Sequence, residues 1–485
     1  MFLYNILKSG YYFYRYKKNP SDEMIDSIVT NLKNSGCVIV KFIQWILPRI
    51  EIMYDIDKYS IHHKHFQRLE CLYDDCNVHS FTHTRKVYKD SFQKNIENDY
   101  EDISIVSSGS IGQVYKMKSK KDGIYYALKC IHPNCDFEIN FFKYILRFLY
   151  FTPYLKDYIR KKTPINLTDF IDDFQEQTNL IKEANNCMRF YREYKDTNLV
   201  IIPEIIKVSS NCIIMTYEEG DNFEDLDIGV LQKYKIFLLL KLFIKHNHNS
   251  MLQLMHGDIH KGNWKVRINE KYPSIVVYDF GYCWDVSDSI LENMAKIDRV
   301  FYSFELIDNK KNKGLLDDLS ECLNYIIGGD QEENKLLIEL HNEFNKLSDN
   351  ELSNIDVSFL FSFAYKYCKK INLYIDKIIL QILIVGNQIE NNAQKYSESD
   401  TTIMGIEGER GIPINYLDDY THTRELEQVS VWRTLIKHSG GEGQKLLNTV
   451  NIYSQIDNNI YYKKPEIEQK KIKSTIDFES LKQFL

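Results

Sequence analysis

The spacing of apolar and polar positions changes several times along the chain, and each change predicts an element. Between residues 35 and 50, Lys41 and Gln44 are three apart, with Phe42, Ile46 and Leu47 around them. A helix there places the polar pair on one face and leaves apolar residues for packing. Ile105 to Tyr115 reads as strand, turn, strand around the small residues Ser107, Ser108, Gly109, Ser110 and Gly112. Phe141 to Phe151 is aromatic-rich with helical character. Leu180, Ala184 and Met188 recur at about helical spacing, so Glu176 to Phe190 is predicted as one amphipathic helix. Cys212–Met215 and Ser274–Tyr278 are short apolar runs of the kind that form buried strands. Tyr234 to Ile244, broken by Lys241, fits a buried helix. No apolar run reaches the roughly 18 residues of a membrane span.

Chemistry concentrates at His256-Gly-Asp-Ile-His-Lys-Gly-Asn263, followed after the Ser274–Tyr278 strand by Asp279-Phe280-Gly281. Phosphoryl transfer needs one carboxylate to orient the nucleophile and oxygen ligands to hold Mg²⁺ on the phosphates of ATP. Asp258 fits the first role, and Asn263 and Asp279 fit the metal-binding role, in the order and spacing of a kinase catalytic loop and metal loop. The hairpin Val106, Ser107, Ser108, Gly109, Ser110, Ile111, Gly112, Gln113, Val114 lets backbone amides approach phosphate. Lys129, in Tyr125-Tyr-Ala-Leu-Lys129, then meets the α- and β-phosphates, and Glu183 is its expected partner. The backbone of Met215, Thr216 and Tyr217, leading into a hinge that runs to Gly220, is the expected adenine contact.

These motifs together resemble the UbiB family of atypical kinases, also called the aarF-domain-containing kinases. The residues that carry the resemblance are Ser110-Ile-Gly-Gln-Val114, Leu128-Lys-Cys-Ile-His-Pro133, Glu183-Ala-Asn-Asn186, the loop from His256 to Asn263, and Lys41-Phe-Ile-Gln44 in an N-terminal extension. Arg49 and Phe81 through Arg85 fit the same extension. The resemblance covers about residues 35 to 300. It implies an α+β, protein-kinase-like two-lobe fold with a helical N-terminal extension and inserted helices in the small lobe. It also implies ATP and Mg²⁺ as cofactors and a role supporting isoprenoid lipid or quinone metabolism.

The departures shape the expectations. Ile43 stands where the family has glycine, Lys261 where it has proline, and Ser107, Ser108 and Gly109 where alanines are usual. The family's acidic pair before Glu183 reads Gln177 and Asn179. In the family the extension lysine meets that pair, so Lys41 is expected to lose its charged partner and to be held by neutral hydrogen bonds, as a looser plug over the groove. Gly257 replaces the arginine of the usual kinase loop and no Ala-Pro-Glu follows Asp279, which disfavours an ordinary protein kinase. A small-molecule or lipid acceptor, or ATP hydrolysis coupled to a partner, is expected instead. Two alternatives stay open: a nucleotide-binding pseudokinase scaffold, and an aminoglycoside- or choline-type phosphotransferase.

Length accommodates the expected layout: 1–100 as the extension, 101–216 as the small lobe, 217–396 as the large lobe, and 397–485 as a tail with short helices. The formal charge of −7, with Lys and Arg dispersed, gives no basis for nucleic-acid binding. Ten cysteines without a CxxC pair fit a reducing compartment. The histidine run His62-His63-Lys-His65 is expected at the surface rather than on a metal. The first twenty residues are basic, aromatic and free of acids, and like Phe141 to Lys162 they are expected to pack as helices, with peripheral membrane contact as the alternative. The chain has five alanines and an excess of Asn, Ile, Lys and Tyr, which points to an AT-rich genome such as that of a large DNA virus or a protist.

Overall fold

The computed structural model describes residues 2–54, 64–65, 68–73, 76–162, 166–195, 199–229, 253–268, 273–287, 333–346 and 357–371, with scattered positions between 233 and 244 and between 374 and 385. The predicted tail, 397–485, lies outside the described residues.

The extension begins with three helices, α1 (Phe2–Lys18), α2 (Asp22–Lys33) and α3 (Cys37–Tyr54), followed after a 3₁₀ turn by α4 (Phe81–Phe92) and α5 (Ile96–Asp99). Ser21 caps α2 by accepting from the Met24 N–H at 3.3 Å. The start of α3 is capped from a distance: Glu138 accepts from the Val38 N–H at 3.3 Å and from the Cys37 thiol at 3.0 Å. His65 is buried rather than on the surface, between the Tyr16 hydroxyl at 2.9 Å and Asp22 at 2.8 Å; His62 and His63 lie outside the described residues.

The small-lobe sheet has the order β1-β2-β3-β6-β5, all antiparallel, from β1 (Tyr100–Ser108), β2 (Gly112–Ser119), β3 (Tyr125–Ile131), β5 (Ile205–Val208) and β6 (Cys212–Thr216). Its register puts Val114 opposite Lys129 and Lys129 opposite Ile213. Tyr88 and Ile96 of the extension join Tyr115, Met117, Leu128 and Ile214 of the sheet in one core. The extension therefore shares the interior of the lobe.

Four helices follow β3: α6 (Cys135–Phe151), α7 (Pro153–Lys162), α8 (Leu167–Gln177) and α9 (Leu180–Tyr194). The single helix expected over 176–190 is two. Asn179 is not helical; its side chain accepts from the Lys182 N–H at 3.1 Å, so it ends one helix and caps the next. α6 buries Cys135 and Ile139 and packs on α3 and α8, while Tyr144, Phe148 and Phe151 stay exposed. α1 is similar: it packs on α2 and buries Asn5 and Ser9, with Tyr4, Leu7, Phe13 and Tyr14 exposed. Both helices thus pack as expected but keep an outer aromatic face. Among the described residues no helix is long and apolar enough to cross a membrane.

On the other side of the cleft, β7 (Leu254–His256) pairs with β10 (Cys283–Asp285). β8 (Trp264–Ile268) and β9 (Pro273–Val277) form a hairpin that β4 (Val200–Ile201) joins in parallel. Phe190 and Tyr194 of α9 enter the same core as Phe237, Phe243, Val277 and Phe280, so the helix carrying Glu183 spans both lobes. Helices α10 (Glu333–Lys346) and α11 (Val357–Ile371) follow, and α11 packs on α3.

Candidate active site

Lys129 sits in the middle of β3, buried, where the sheet faces the cleft. Its Nζ donates to both carboxylate oxygens of Glu183, at 2.7 and 2.8 Å, and to Asp279 Oδ1 at 3.1 Å. Three segments far apart in the chain thus meet at one ammonium. Burial alone would lower the Lys129 pKa, but Asp279 and then Glu183 outweigh it, and Lys129 stays charged. Burial would raise Asp279, but Lys129 and then Lys41 hold it well below the carboxylate range. Glu183 yields: burial, with the Asp279 charge beside it, pushes it up to about 7 against the pull of Lys129. The backbone at Asp279 adopts φ 55°, uncommon for a non-glycine residue, and its Oδ1 also accepts from the Gly281 N–H at 3.3 Å.

The catalytic-loop residues are fixed from below. His256, fully buried, contacts Tyr278 O at 3.1 Å through Nε2 and accepts the Asp258 N–H at 3.2 Å on Nδ1. Asn263 donates its amide to Asp258 O at 2.8 Å. That orientation leaves the Asn263 side-chain oxygen for another partner. Gly257 is required here: a Cβ would lie 2.0 Å from the Trp284 ring, which fills the space an arginine side chain would need.

Lys41 reaches from α3 into the cleft and pairs with Asp258 itself, Nζ to Oδ2 at 2.8 Å. This corrects the expectation that Lys41 would lack a charged partner. Asn179 is occupied as a helix cap. Gln177 is buried in the wall of the pocket that Lys41, Gln44, Asp258 and His260 also line. Burial raises Asp258, but Lys41 and then His260 more than offset it, so its carboxyl sits below the usual range. Behind this contact Arg49 donates to Gln381 at 2.6 Å, and Gln381 donates to Gly257 O at 2.6 Å. Arg49 also stacks over Trp45, 3.9 Å from the ring centroid.

The hairpin residues divide. Val106 and Ser107 are exposed, Val114 half-buried and Ile111 buried. Gly109 closes the turn by donating to Gly112 O at 3.0 Å, and Gly112 has no room for a side chain, since a Cβ would lie 2.8 Å from Cys130 O. The polar side chains are committed to the extension: Ser108 donates to Asn77 O, Ser110 to Gln44, and Gln113 accepts from the His79 N–H at 2.8 Å. Gln113 is therefore a structural anchor. At the hinge, the Thr216 and Tyr217 N–H groups already donate to Glu204 O and Tyr125 O, at 2.9 and 3.3 Å, and Met215 pairs within the sheet. The hinge amides of Thr216 and Tyr217 are thus committed to backbone carbonyls. Glu218, anchored by Arg267 and Tyr278, is a feature that periodicity did not single out.

A five-stranded sheet with a buried lysine, a helix glutamate and a half-buried aspartate on the facing loop define a protein-kinase-like protein. Residues 71–312 match the ABC1 atypical kinase-like domain. The chain belongs to the UbiB/ABC1 family of atypical kinases. It is 27% identical over 166 residues to "Protein ACTIVITY OF BC1 COMPLEX KINASE 3, chloroplastic" of Arabidopsis thaliana, covering 33% of this chain and 23% of that one. It is 25% identical over 187 residues to "Probable protein kinase UbiB" of Erwinia tasmaniensis, covering 37% and 34%. The match therefore spans well under half of either curated relative. Among solved structures, the Rv3197–erythromycin complex from Mycobacterium tuberculosis overlaps at TM-score 0.40 and 17% identity, covering 66% of this chain and 83% of that one.

Proposed function

We propose that this protein binds Mg-ATP and acts as an atypical phosphotransferase or ATPase on a small or lipid-like acceptor, of the isoprenoid-quinone kind, rather than on proteins. The observation that carries this reading is the buried Lys129, held by the buried Glu183 and the half-buried Asp279. Lys129 would contact the α- and β-phosphates. Asp258 would orient the acceptor hydroxyl and take its proton. Asn263 and Asp279 offer hard oxygen donors suited to Mg²⁺, since the Asn263 amide is turned so that its oxygen is available and only Oδ1 of Asp279 faces Lys129. Bound there, Mg²⁺ would neutralise charge on the transferring phosphoryl group. The α3 helix supports a non-protein acceptor, because Lys41, Gln44 and Trp45 narrow the pocket around Asp258 to a space better suited to a small group than to a peptide segment. Lys41 would have to release Asp258 Oδ2 for any acceptor hydroxyl to reach it.

The test is ATP turnover by the purified protein, with and without lipid or detergent. Turnover stimulated by lipid supports the proposal; none under any condition overturns it. Asp279→Asn should abolish the Mg²⁺ dependence of nucleotide binding, measured by calorimetry with and without the metal. The pseudokinase alternative has one observation in its favour, the neutralisation of Asp258 by Lys41. It predicts nucleotide binding without turnover, even in Lys41→Ala.

A further inference from the structure

Three histidines and a cysteine meet where the extension crosses the start of the phosphate hairpin, outside the nucleotide site. His79 precedes α4, His83 lies in its first turn, and Cys130 and His132 bracket the end of β3. His79, His83 and Cys130 each place one ligand atom within 4.8 Å of the others. His132 Nδ1 is 2.8 Å from His79 Nδ1. His79 and Cys130 are buried, at 9% and 1% exposure.

The hydrogen bonds show which nitrogens have a lone pair to give. His132 Nε2 is 2.9 Å from Gly109 O, and a carbonyl only accepts, so the proton is on Nε2 and Nδ1 is bare. His79 Nδ1 then donates to it, and His79 Nε2 accepts from the Thr84 hydroxyl at 2.9 Å. His83 Nε2 lies 3.1 Å from Ile131 O and donates there, so Nδ1 is the nitrogen that would ligate. The cluster thus brings imidazole nitrogens together beside a thiol, the donor set that selects a borderline-soft cation. Among the described residues no carboxylate, which would favour Mg²⁺ or Ca²⁺, joins the group.

We propose that His79, His83 and Cys130, with His132 as the fourth group, form a binding site for a divalent transition-metal ion of the zinc class. Tetrahedral zinc at ordinary bond lengths sets its ligand atoms roughly 3.5 Å apart, so side-chain movements of about an ångström close the site. On binding, the Cys130 thiol proton leaves to solvent and the thiolate ligates. The His79 proton moves to Nε2, which then donates to Thr84. The supporting shell is present: Thr84 is fully buried and bonded to Tyr115 at 2.8 Å, and Tyr115 accepts from Gln113 at 2.7 Å. The ion would fasten the extension to β3, and His132 would carry that restraint to Gly109 of the hairpin.

The experiment is metal analysis of the native protein, followed by Co²⁺ titration in absorbance and zinc competition with a chromophoric chelator. Stoichiometric zinc, or a cobalt complex with thiolate charge-transfer absorption that Cys130→Ser removes, is the expected result. Loss of an outer-shell partner typically weakens metal binding by about 10–100-fold, so His83→Ala, which removes a ligand, should weaken it by more than about 100-fold. A native protein that carries no metal and takes up neither ion from the chelator overturns the proposal, whether or not the variants fold. Equal binding by native protein, Cys130→Ser and His83→Ala also overturns it, because the ion then lies elsewhere.

Discussion

At the scale of single residues, Lys129 serves two carboxylates that cannot both be ionised cheaply. Asp279 keeps its charge, and Glu183 is pushed up to about 7 from an ordinary 4.5. A folded-state pKa above the unfolded one means the native state holds the extra proton between those values, so stability falls as pH rises through that window. The contribution is on the order of 3 kcal/mol, at about 1.4 kcal/mol per unit. We expect denaturant midpoints of the native protein to decline from pH 4.5 to 7 relative to Glu183→Gln, which lacks the titrating group. Parallel pH profiles would contradict this. Gly257 gives a second prediction: in Gly257→Ala the new methyl meets the Trp284 ring, so about 1–3 kcal/mol of overpacking cost should appear in denaturant unfolding. The approach of Glu183 to Lys129 was legible in the sequence because motif order constrains both. The Lys41–Asp258 pair was not, because it depends on where α3 docks, which no local spacing encodes.

At the scale of elements, α3 decides what reaches Asp258. Phe42 and Trp45 pack on Phe170 of α8, with ring centroids 5.1 and 5.3 Å away, and aim Lys41 into the cleft. Lys41→Ala should therefore raise phosphorylation of generic protein substrates from a low level in the native protein, measured with labelled ATP. Robust labelling by the native protein would sink the non-protein reading. The outer faces of α1 and α6 carry exposed aromatics, with Lys8, Arg15, Lys17 and Lys18 on α1. We expect flotation with anionic vesicles that weakens with salt and is lost in Leu7→Glu/Phe13→Glu. Where a motif is strong, as in β2, β3 and α9, the local sequence specifies the type of element. The break at Asn179 is not legible in the apolar spacing, because Leu180, Ala184 and Met188 all lie beyond it and residues 176–179 are uniformly polar; only the side-chain cap distinguishes two helices from one.

At the scale of the whole molecule, the extension and both sides of the cleft share cores and a buried polar chain, Arg49 to Gln381 to Gly257. Such sharing predicts one cooperative transition, with tryptophan fluorescence and far-UV circular dichroism coinciding on heating. Arg49→Ala strips a buried cation from Trp45 and leaves Gln381 without its donor, so a loss of about 2–4 kcal/mol is expected, seen as a lower midpoint of that same transition. One further joint has pharmacological weight. The Asn186 amide, one turn beyond Glu183, donates to Phe280 O at 3.0 Å, beside Asp279. This hydrogen bond ties the glutamate helix to the aspartate loop, so swinging either away alone forfeits it, at about 1 kcal/mol. A compound that wedges the two apart would have to overcome that cost here, and Asn186→Ala should lower it.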